Sequence, residues 1–185
     1  MRPHERCGCG RAIALPSRRS VLTTLAGAAA AAPFFAAPAA AQSADDDESF
    51  MRLALEQARI ADFPFGAVIV KDGKVMARGR NMGRTFGDPT AHGEMVAIRR
   101  FLDQYPAAAL RGATLYTSGE PCAMCMGAIL WCHIGRLVFA ASVEQLATKI
   151  DQIMLSAADV AAMAKFAPIL ITGGVLADEA MALFK

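Results

Sequence analysis

His92-Gly93-Glu94, followed further along by Pro121-Cys122-Ala123-Met124-Cys125, are the two stretches around which this chain is organised. A catalytic zinc needs three protein ligands and an open fourth position, and one imidazole with two thiolates meets that need. Cys122 and Cys125 are three residues apart, so on a helix they share one face. Pro121, with its fixed φ and no N–H to leave unbonded, is predicted to begin that helix. The unpaired N–H groups and positive dipole end of a helix start favour thiolates over thiols. Zinc held there brings the pKa of a bound water from its bulk value to about 7. Glu94 lies too close to His92 in sequence for a comfortable fourth ligand, and is well placed to carry that water's proton. Backbone N–H groups near Cys122 are available to hold a developing oxyanion. The expected Zn2+ ligands are therefore His92, Cys122 and Cys125, and the expected catalytic carboxylate is Glu94.

Cys-x-x-Cys alone also fits a redox pair, or half of a four-ligand structural zinc site. A redox pair explains neither His92 nor Glu94. A structural site wants a further Cys or His, and in the body of the chain only Cys132 and His133 are available. Both fall at the far end of the helix predicted from Pro121, two turns or more from Cys125, and read as packing residues at a helix end.

The remaining elements follow from periodicity and turn chemistry. Residues 47–61 read as an amphipathic helix, and 67–71 with 74–78 as a hairpin across Asp72-Gly73, a strong turn signal. Thr90 is expected to cap a helix carrying His92 and Glu94 near its start. Residues 113–117 read as a strand, 121–132 as a helix, 136–141 as a strand, and 157–165, 168–171 and 177–184 as helix, strand and helix. The Asp45-Asp46-Asp47-Glu48 run reads as a solvated tail and helix start. Alternation of this kind implies an α/β fold, a three-layer α/β/α sandwich around a central mixed sheet of about five strands. In it, both zinc-bearing helices begin at the same sheet edge.

The pattern His-x-Glu followed by Pro-Cys-x-x-Cys is the sequence mark of the zinc deaminases. Around it, Phe65-Gly66-Ala67-Val68-Ile69-Val70, Asn81, Asp88-Pro89-Thr90-Ala91-His92, Leu115-Tyr116-Thr117-Ser118-Gly119-Glu120-Pro121 and Gly127-Ala128-Ile129-Leu130-Trp131 resemble the purine-directed branch of the cytidine deaminase superfamily. The resemblance runs over residues 50–141 and is greatest to bacterial guanine deaminases, then to tRNA adenosine deaminases. Gly93 stands where both groups commonly carry Ala; Gly there is similar to fungal cytosine deaminase. The resemblance implies hydrolytic deamination with Glu94 shuttling protons from water to a ring nitrogen and then to the departing amine. It also implies that Asn81, Phe65, Ala67 and Trp131 meet the substrate, Asn81 by hydrogen bonding, Phe65 against the ring plane and Trp131 along the pocket wall. Plainer readings stand beside these: Asn81 as a turn residue, Phe65 as core, Trp131 as a packed helix end. The resemblance further implies a homodimer.

The N-terminus carries a separate message. Ser17-Arg18-Arg19-Ser20-Val21-Leu22 resembles the twin-arginine export consensus, and an apolar, Ala-rich stretch follows from Leu25 to Ala41, ending in Ala39-Ala40-Ala41. Residues 1–41 are therefore expected to be a signal peptide cleaved before Gln42, and 42–185 an exported, periplasmic deaminase domain. Gly27, Pro33 and Pro38 interrupt the apolar stretch and make it a poor permanent membrane span, although an uncleaved anchor is the alternative. Twin-arginine substrates travel folded, so zinc could be loaded before the sulfurs meet an oxidising compartment.

The formal charge of +2 belongs to the whole chain. Five basic residues (Arg2, Arg6, Arg11, Arg18, Arg19) and one acid (Glu5) precede residue 42, which leaves 14 basic against 16 acidic residues beyond it, or −2. That balance excludes a general nucleic-acid binder. The expected partner is a small-molecule nucleobase or nucleoside, with guanine to xanthine the leading reaction. Cytosine, adenosine in tRNA, pterins and triazines share an amidine-like C–NH2 and stay open, as does a non-catalytic zinc- or nucleobase-binding protein. Residues 173–184 look more like the tail of tRNA-type members than the pocket-completing tail of guanine deaminases.

Overall fold

The computed structural model describes residues 44–185. The expected leader and its cleavage point fall outside the described residues. Helix α1 (Ala44–Arg59) forms where Met51, Ala54, Leu55 and Ala58 recur at helical spacing, and all four are buried. The hairpin of β1 (Gly66–Lys71) and β2 (Lys74–Arg80) turns at Asp72 and Gly73, both with positive φ (50° and 71°). Two consecutive positive-φ residues match the right-handed strand twist, and Asp-Gly tolerates them. A bulge interrupts the register after Ile69.

A one-turn helix α2 (Gly83–Phe86) leads into α3 (Gly93–Leu102). Then come a 3-10 turn at Ala107–Leu110, β3 (Thr114–Gly119), α4 (Ala123–Trp131), β4 (Arg136–Ala141), α5 (Val143–Ala147), α6 (Ala157–Met163), β5 (Leu170–Thr172) and α7 (Ala177–Met181). The strand order is β2-β1-β3-β4-β5, antiparallel from β2 through β3 and parallel from β3 to β5. Side chains of α3, α4 and α6 pack one face of the sheet through Ile98, Phe101, Met126, Ile129 and Ala157. Those of α1, α5 and α7 pack the other through Met51, Leu55, Leu146 and Ala180. This is the expected α/β/α sandwich with a five-stranded mixed sheet. The short α2, α5 and 3-10 turn escape a periodicity reading because each is hardly more than one turn long. Only α5 carries a readable signal, the capping box of Ser142 and Gln145.

Two local expectations are corrected. Thr90 does not cap α3: its hydroxyl and N–H both bond the Asp88 carboxylate (2.6 and 2.8 Å), and the N-cap residue is His92. The acidic run at the start of α1 is only partly solvated. Asp45, Asp46 and Glu48 are exposed, but Asp47 is buried and takes a bidentate pair of bonds from Arg136 (2.7 and 2.6 Å) and one from the Tyr116 hydroxyl (2.8 Å). It thereby ties α1 to β3 and β4. A tail is solvated only until the fold supplies a cation from another element, and here β4 begins with one.

Burial by itself would raise the pKa of Asp47, but the bonds from Arg136 and Tyr116 and the guanidinium charge outweigh it and hold it below the usual carboxylate value. The stabilisation is thus present above the unfolded-state pKa of about 3.9 and is lost as pH falls through the lower folded value. Asp47→Ala leaves Arg136 without this partner and is expected to cost about 3–5 kcal/mol at pH 7. Denaturant unfolding of both proteins at pH 7, and melts repeated down to pH 2, check this: the gap between them should close on acidification.

Candidate metal and catalytic site

Two helix starts meet at one end of the sheet. His92 and Cys122 are the N-cap residues of α3 and α4, both in extended conformation (ψ 160° and 166°), and Cys125 sits in the first turn of α4. The helix expected to begin at Pro121 therefore starts at Ala123. The extended backbone of Cys122 turns its sulfur back towards His92, while its carbonyl accepts the N–H of Met126 (2.9 Å). Both sulfurs lie 3.6 Å from His92 Nδ1, and the three donor atoms lie within 4.8 Å of one another. Zinc bonds of about 2.0–2.1 Å to nitrogen and 2.3 Å to sulfur, at a tetrahedral angle, require a nitrogen-to-sulfur edge of about 3.6 Å. The donor set fits the ion. Among the described residues no other cluster of His, Cys, Asp or Glu could hold a metal.

The electrostatics agree with a cation site. Cys125 shares its proton with Cys122, and that bond, with help from His92, pulls Cys122 down to about 4 against the opposing effect of burial. The same bond and burial push Cys125 up, so of the two sulfurs Cys122 is the readier thiolate. Metal binding displaces the Cys125 proton, because a ligating sulfur is a thiolate. His92 is raised mainly by its bond to Cys122.

Glu94, in the first turn of α3, is buried at 3% exposure. Its Oε2 lies 3.6 Å from Cys125 Sγ, and the Thr117 hydroxyl donates to its Oε1 at 3.4 Å. Burial raises its pKa, which makes the carboxylate a stronger base than one in water. His92, Cys122, Cys125 and Glu94 are thus brought together as expected.

The expected substrate residues divide. Asn81 follows β2 at the same sheet end; its backbone N–H bonds Phe65 O (2.8 Å) and its Oδ1 accepts from Gly83 N–H (3.1 Å). The turn role is real, which leaves recognition to its amide nitrogen. Phe65 packs edge-on against Phe184 (5.3 Å) and beside Phe63 (5.8 Å), in the cluster on the α1 side. Ala67 is wholly buried, pairs with Thr117 and has no exposed surface. Trp131 stands apart from the donors at the far end of α4, roughly 9 Å along the axis beyond Cys125. It is 73% exposed, stacks on Phe166 (4.7 Å) and edges a recess of about 210 Å3 with Leu102, Arg111 and His133. The pocket-wall expectation for Trp131 is not met within one chain, because α4 runs away from the donors.

Three supporting residues were not foreseen. Besides Thr117, the Glu120 carboxylate accepts the N–H groups of Val143 (2.8 Å) and Ala157 (2.7 Å), pinning the loop before Cys122 to the starts of α5 and α6. Ser118 Oγ accepts the N–H of Gly66 (3.0 Å), tying β3 to the start of β1. All three lie within the stretch that carries the resemblance, but nothing in one sequence tells their partners.

Comparison with known proteins agrees with this geometry. The family described as the cytidine and deoxycytidylate deaminase zinc-binding region matches residues 44–141. Guanine deaminase of Bacillus subtilis is 51% identical over 78 residues, which is 42% of this chain and 50% of that protein. A tRNA-specific adenosine deaminase of Agrobacterium fabrum is 45% identical over 96 residues, 50% of this chain and 63% of that one. The chain thus spans less than two thirds of these curated relatives. A solved guanine deaminase from Nitrosomonas europaea superposes with a TM-score of 0.65 at 28% identity, covering 74% of this chain and 81% of its own.

Purified protein is expected to carry one zinc per chain, and Cys125→Ala to lose it, since two donors do not hold such an ion. Elemental analysis decides: full zinc in the variant would put the ligand assignment elsewhere.

Proposed function

Because the chain belongs to the cytidine and deoxycytidylate deaminase zinc-binding family, we propose that it is a zinc-dependent aminohydrolase acting on a free nucleobase, with guanine to xanthine as its reaction. The observation that carries the reading is a buried carboxylate, Glu94, beside three donors spaced for zinc. Zinc, when bound, supplies a Lewis acid and brings the pKa of water near 7. The chain's own part is proton movement and orientation. Glu94 takes a proton from the attacking water and delivers it to the ring nitrogen next to the C–NH2 carbon; it then takes the remaining proton from the newly bonded hydroxyl and passes it to the amine, whose C–N bond breaks to release ammonia. Its burial keeps bulk water from competing for that proton, and the Thr117 hydroxyl holds one oxygen so that the other faces the sulfurs. Asn81, through its amide nitrogen, orients the base.

The Bacillus and Nitrosomonas relatives, both guanine deaminases, support guanine. The Agrobacterium relative supports a second reading, adenosine in tRNA, against which stands the net charge of −2 beyond residue 41. A homodimer belongs to the same reading; Trp131, Met163 and Phe166, at 73%, 82% and 50% exposure, offer apolar surface for it.

The test is ammonia release from guanine, cytosine, adenosine, a tRNA anticodon stem-loop, pterins and triazines. Guanine should be turned over fastest. Glu94→Gln should keep zinc and lose about 10²–10⁴-fold in rate, and Asn81→Ala should lose selectively on the preferred base. A faster reaction on the stem-loop would give the substrate to tRNA, and silence on every compound would leave a binding protein.

We also propose export by the twin-arginine route, on the strength of Arg18 and Arg19 ahead of the Ala-rich stretch. No helix among the described residues is long and apolar enough to cross a membrane. Replacing Arg18 and Arg19 together by Lys should strand the precursor in the cytoplasm. Immunoblotting of cell fractions checks this, and undiminished export of the Lys pair would point to another route.

A further inference from the structure

Phe184, in the tail behind α7, is buried at 6% exposure, and its N–H closes the last turn of that helix on Met181 O (3.1 Å). Its ring meets two others edge-on, Phe65 at 5.3 Å and Phe63 at 6.2 Å between ring centres. Both belong to the loop that joins α1 to β1. There the N–H of Phe65 bonds Phe63 O (2.5 Å) across Pro64, a tight turn that leaves the two rings 5.8 Å apart. The residues flanking Phe184 stand off from this loop: Leu183 and Lys185 line a recess of about 330 Å3 together with Asp62 and Pro64.

The backbone of the same loop holds Asn81. The Asn81 N–H donates to Phe65 O (2.8 Å), and the Asn81 carbonyl accepts the N–H of Asp62 (3.0 Å). The Asp62 carboxylate also accepts the N–H and the hydroxyl of Thr85 in α2 (2.7 and 2.9 Å). The loop is therefore a bracket, with hydrogen bonds on the side of Asn81 and aromatic contact on the side of the tail. Because Asn81 Oδ1 is bonded to Gly83 N–H (3.1 Å), the direction of its amide nitrogen follows the backbone of this segment.

We infer that Phe184 is a positioning residue for Asn81: by clamping Phe63 and Phe65 it fixes the loop that carries both backbone bonds of Asn81, and so aims the Asn81 amide. The consequence for catalysis rests on the reading above, in which that amide orients the base. The metal donors sit at the starts of α3 and α4, which pack the opposite face of the sheet from the aromatic cluster. The clamp therefore acts on recognition of the base and leaves metal binding alone.

Phe184→Ala and Phe184→Leu test this, the second keeping apolar bulk should the first fail to fold. The readouts are exchange of single amides by NMR, zinc content, and kcat and KM with and without Asn81→Ala. Two aromatic pairs correspond to about 5- to 150-fold in a local opening equilibrium, so the Asp62 and Asn81 amides should exchange faster by that factor in Phe184→Ala. The Val96 amide, bonded to His92 O, should exchange at its original rate, and zinc should stay at one per chain. KM for the preferred base should rise about 3- to 10-fold, the worth of one hydrogen bond, with kcat within about twofold. Where Asn81 is already Ala, Phe184→Ala should raise KM by less than about twofold, because no amide is left to aim. Unchanged exchange at Asp62 and Asn81 in both variants overturns the inference, and so does equal acceleration at Val96. It is also overturned if Asn81→Ala impairs the enzyme and the double variant pays the full Phe184→Ala penalty on top. Should Asn81→Ala turn over every base normally, the recognition reading fails, while faster exchange confined to Asp62 and Asn81 still upholds the clamp.

Discussion

The meeting of two helix starts at one end of the sheet is the constraint on which the site depends, and strand direction produces it. Because β3 runs antiparallel to β1, Thr117 near the end of β3 pairs with Ala67 near the start of β1. The antiparallel hairpin brings Arg80, at the end of β2, to Gly66 as well. Asn81, Phe65, Gly119 and the loop to Cys122 therefore emerge from the same edge. Helices that start there present N-cap residues with unpaired backbone N–H groups and positive dipole ends, which suits thiolates and a developing oxyanion. The same edge lets His92 and Cys122 adopt nearly the same extended conformation and face each other.

Rigidity at this edge comes from two kinds of contact. At one end of α1, Asp47 is clamped by Arg136 and Tyr116; at the other, Ala54 and Ala58 lie directly on Gly66. The helix thus acts as a plate that backs the hairpin, and the hairpin in turn supports α3. Glu120 works from the α4 side, binding two helix starts to the loop that carries Cys122. The half-buried Glu120 carboxylate, with two N–H partners, is structural, whereas the buried Glu94, beside a hydroxyl and a sulfur, keeps the capacity to exchange a proton. Two glutamates a short distance apart in the fold are thereby given different work by their surroundings.

Two of the relatives act on different substrates, guanine in one and adenosine in tRNA in the other. The family match ends at residue 141, at the end of β4, so it covers both metal motifs and stops before α5. The segment beyond it carries the exposed Ile153, Met154 and Leu155 and the packed Phe184. Phe184 reaches back to Phe65, so the tail influences the edge through aromatic packing while contributing no metal donor.

Much of this was legible in the sequence alone. Spacing determined the three ligands and Glu94, since a helix turn puts Cys122 and Cys125 on one face wherever the helix lies. Alternation and the Asp72-Gly73 turn determined the hairpin and the mixed sheet, because those signals are local. Tertiary structure decided the rest. It buried Asp47 against Arg136, 89 residues away, moved Trp131 to the outer end of α4, turned Phe65 into an aromatic cluster, and gave Thr117, Ser118 and Glu120 their partners. Each of these depends on which elements meet and at what distance. A side chain's partner across a sheet or between helices leaves no mark on its neighbours in the chain, whereas a metal motif and a tight turn are written in consecutive residues.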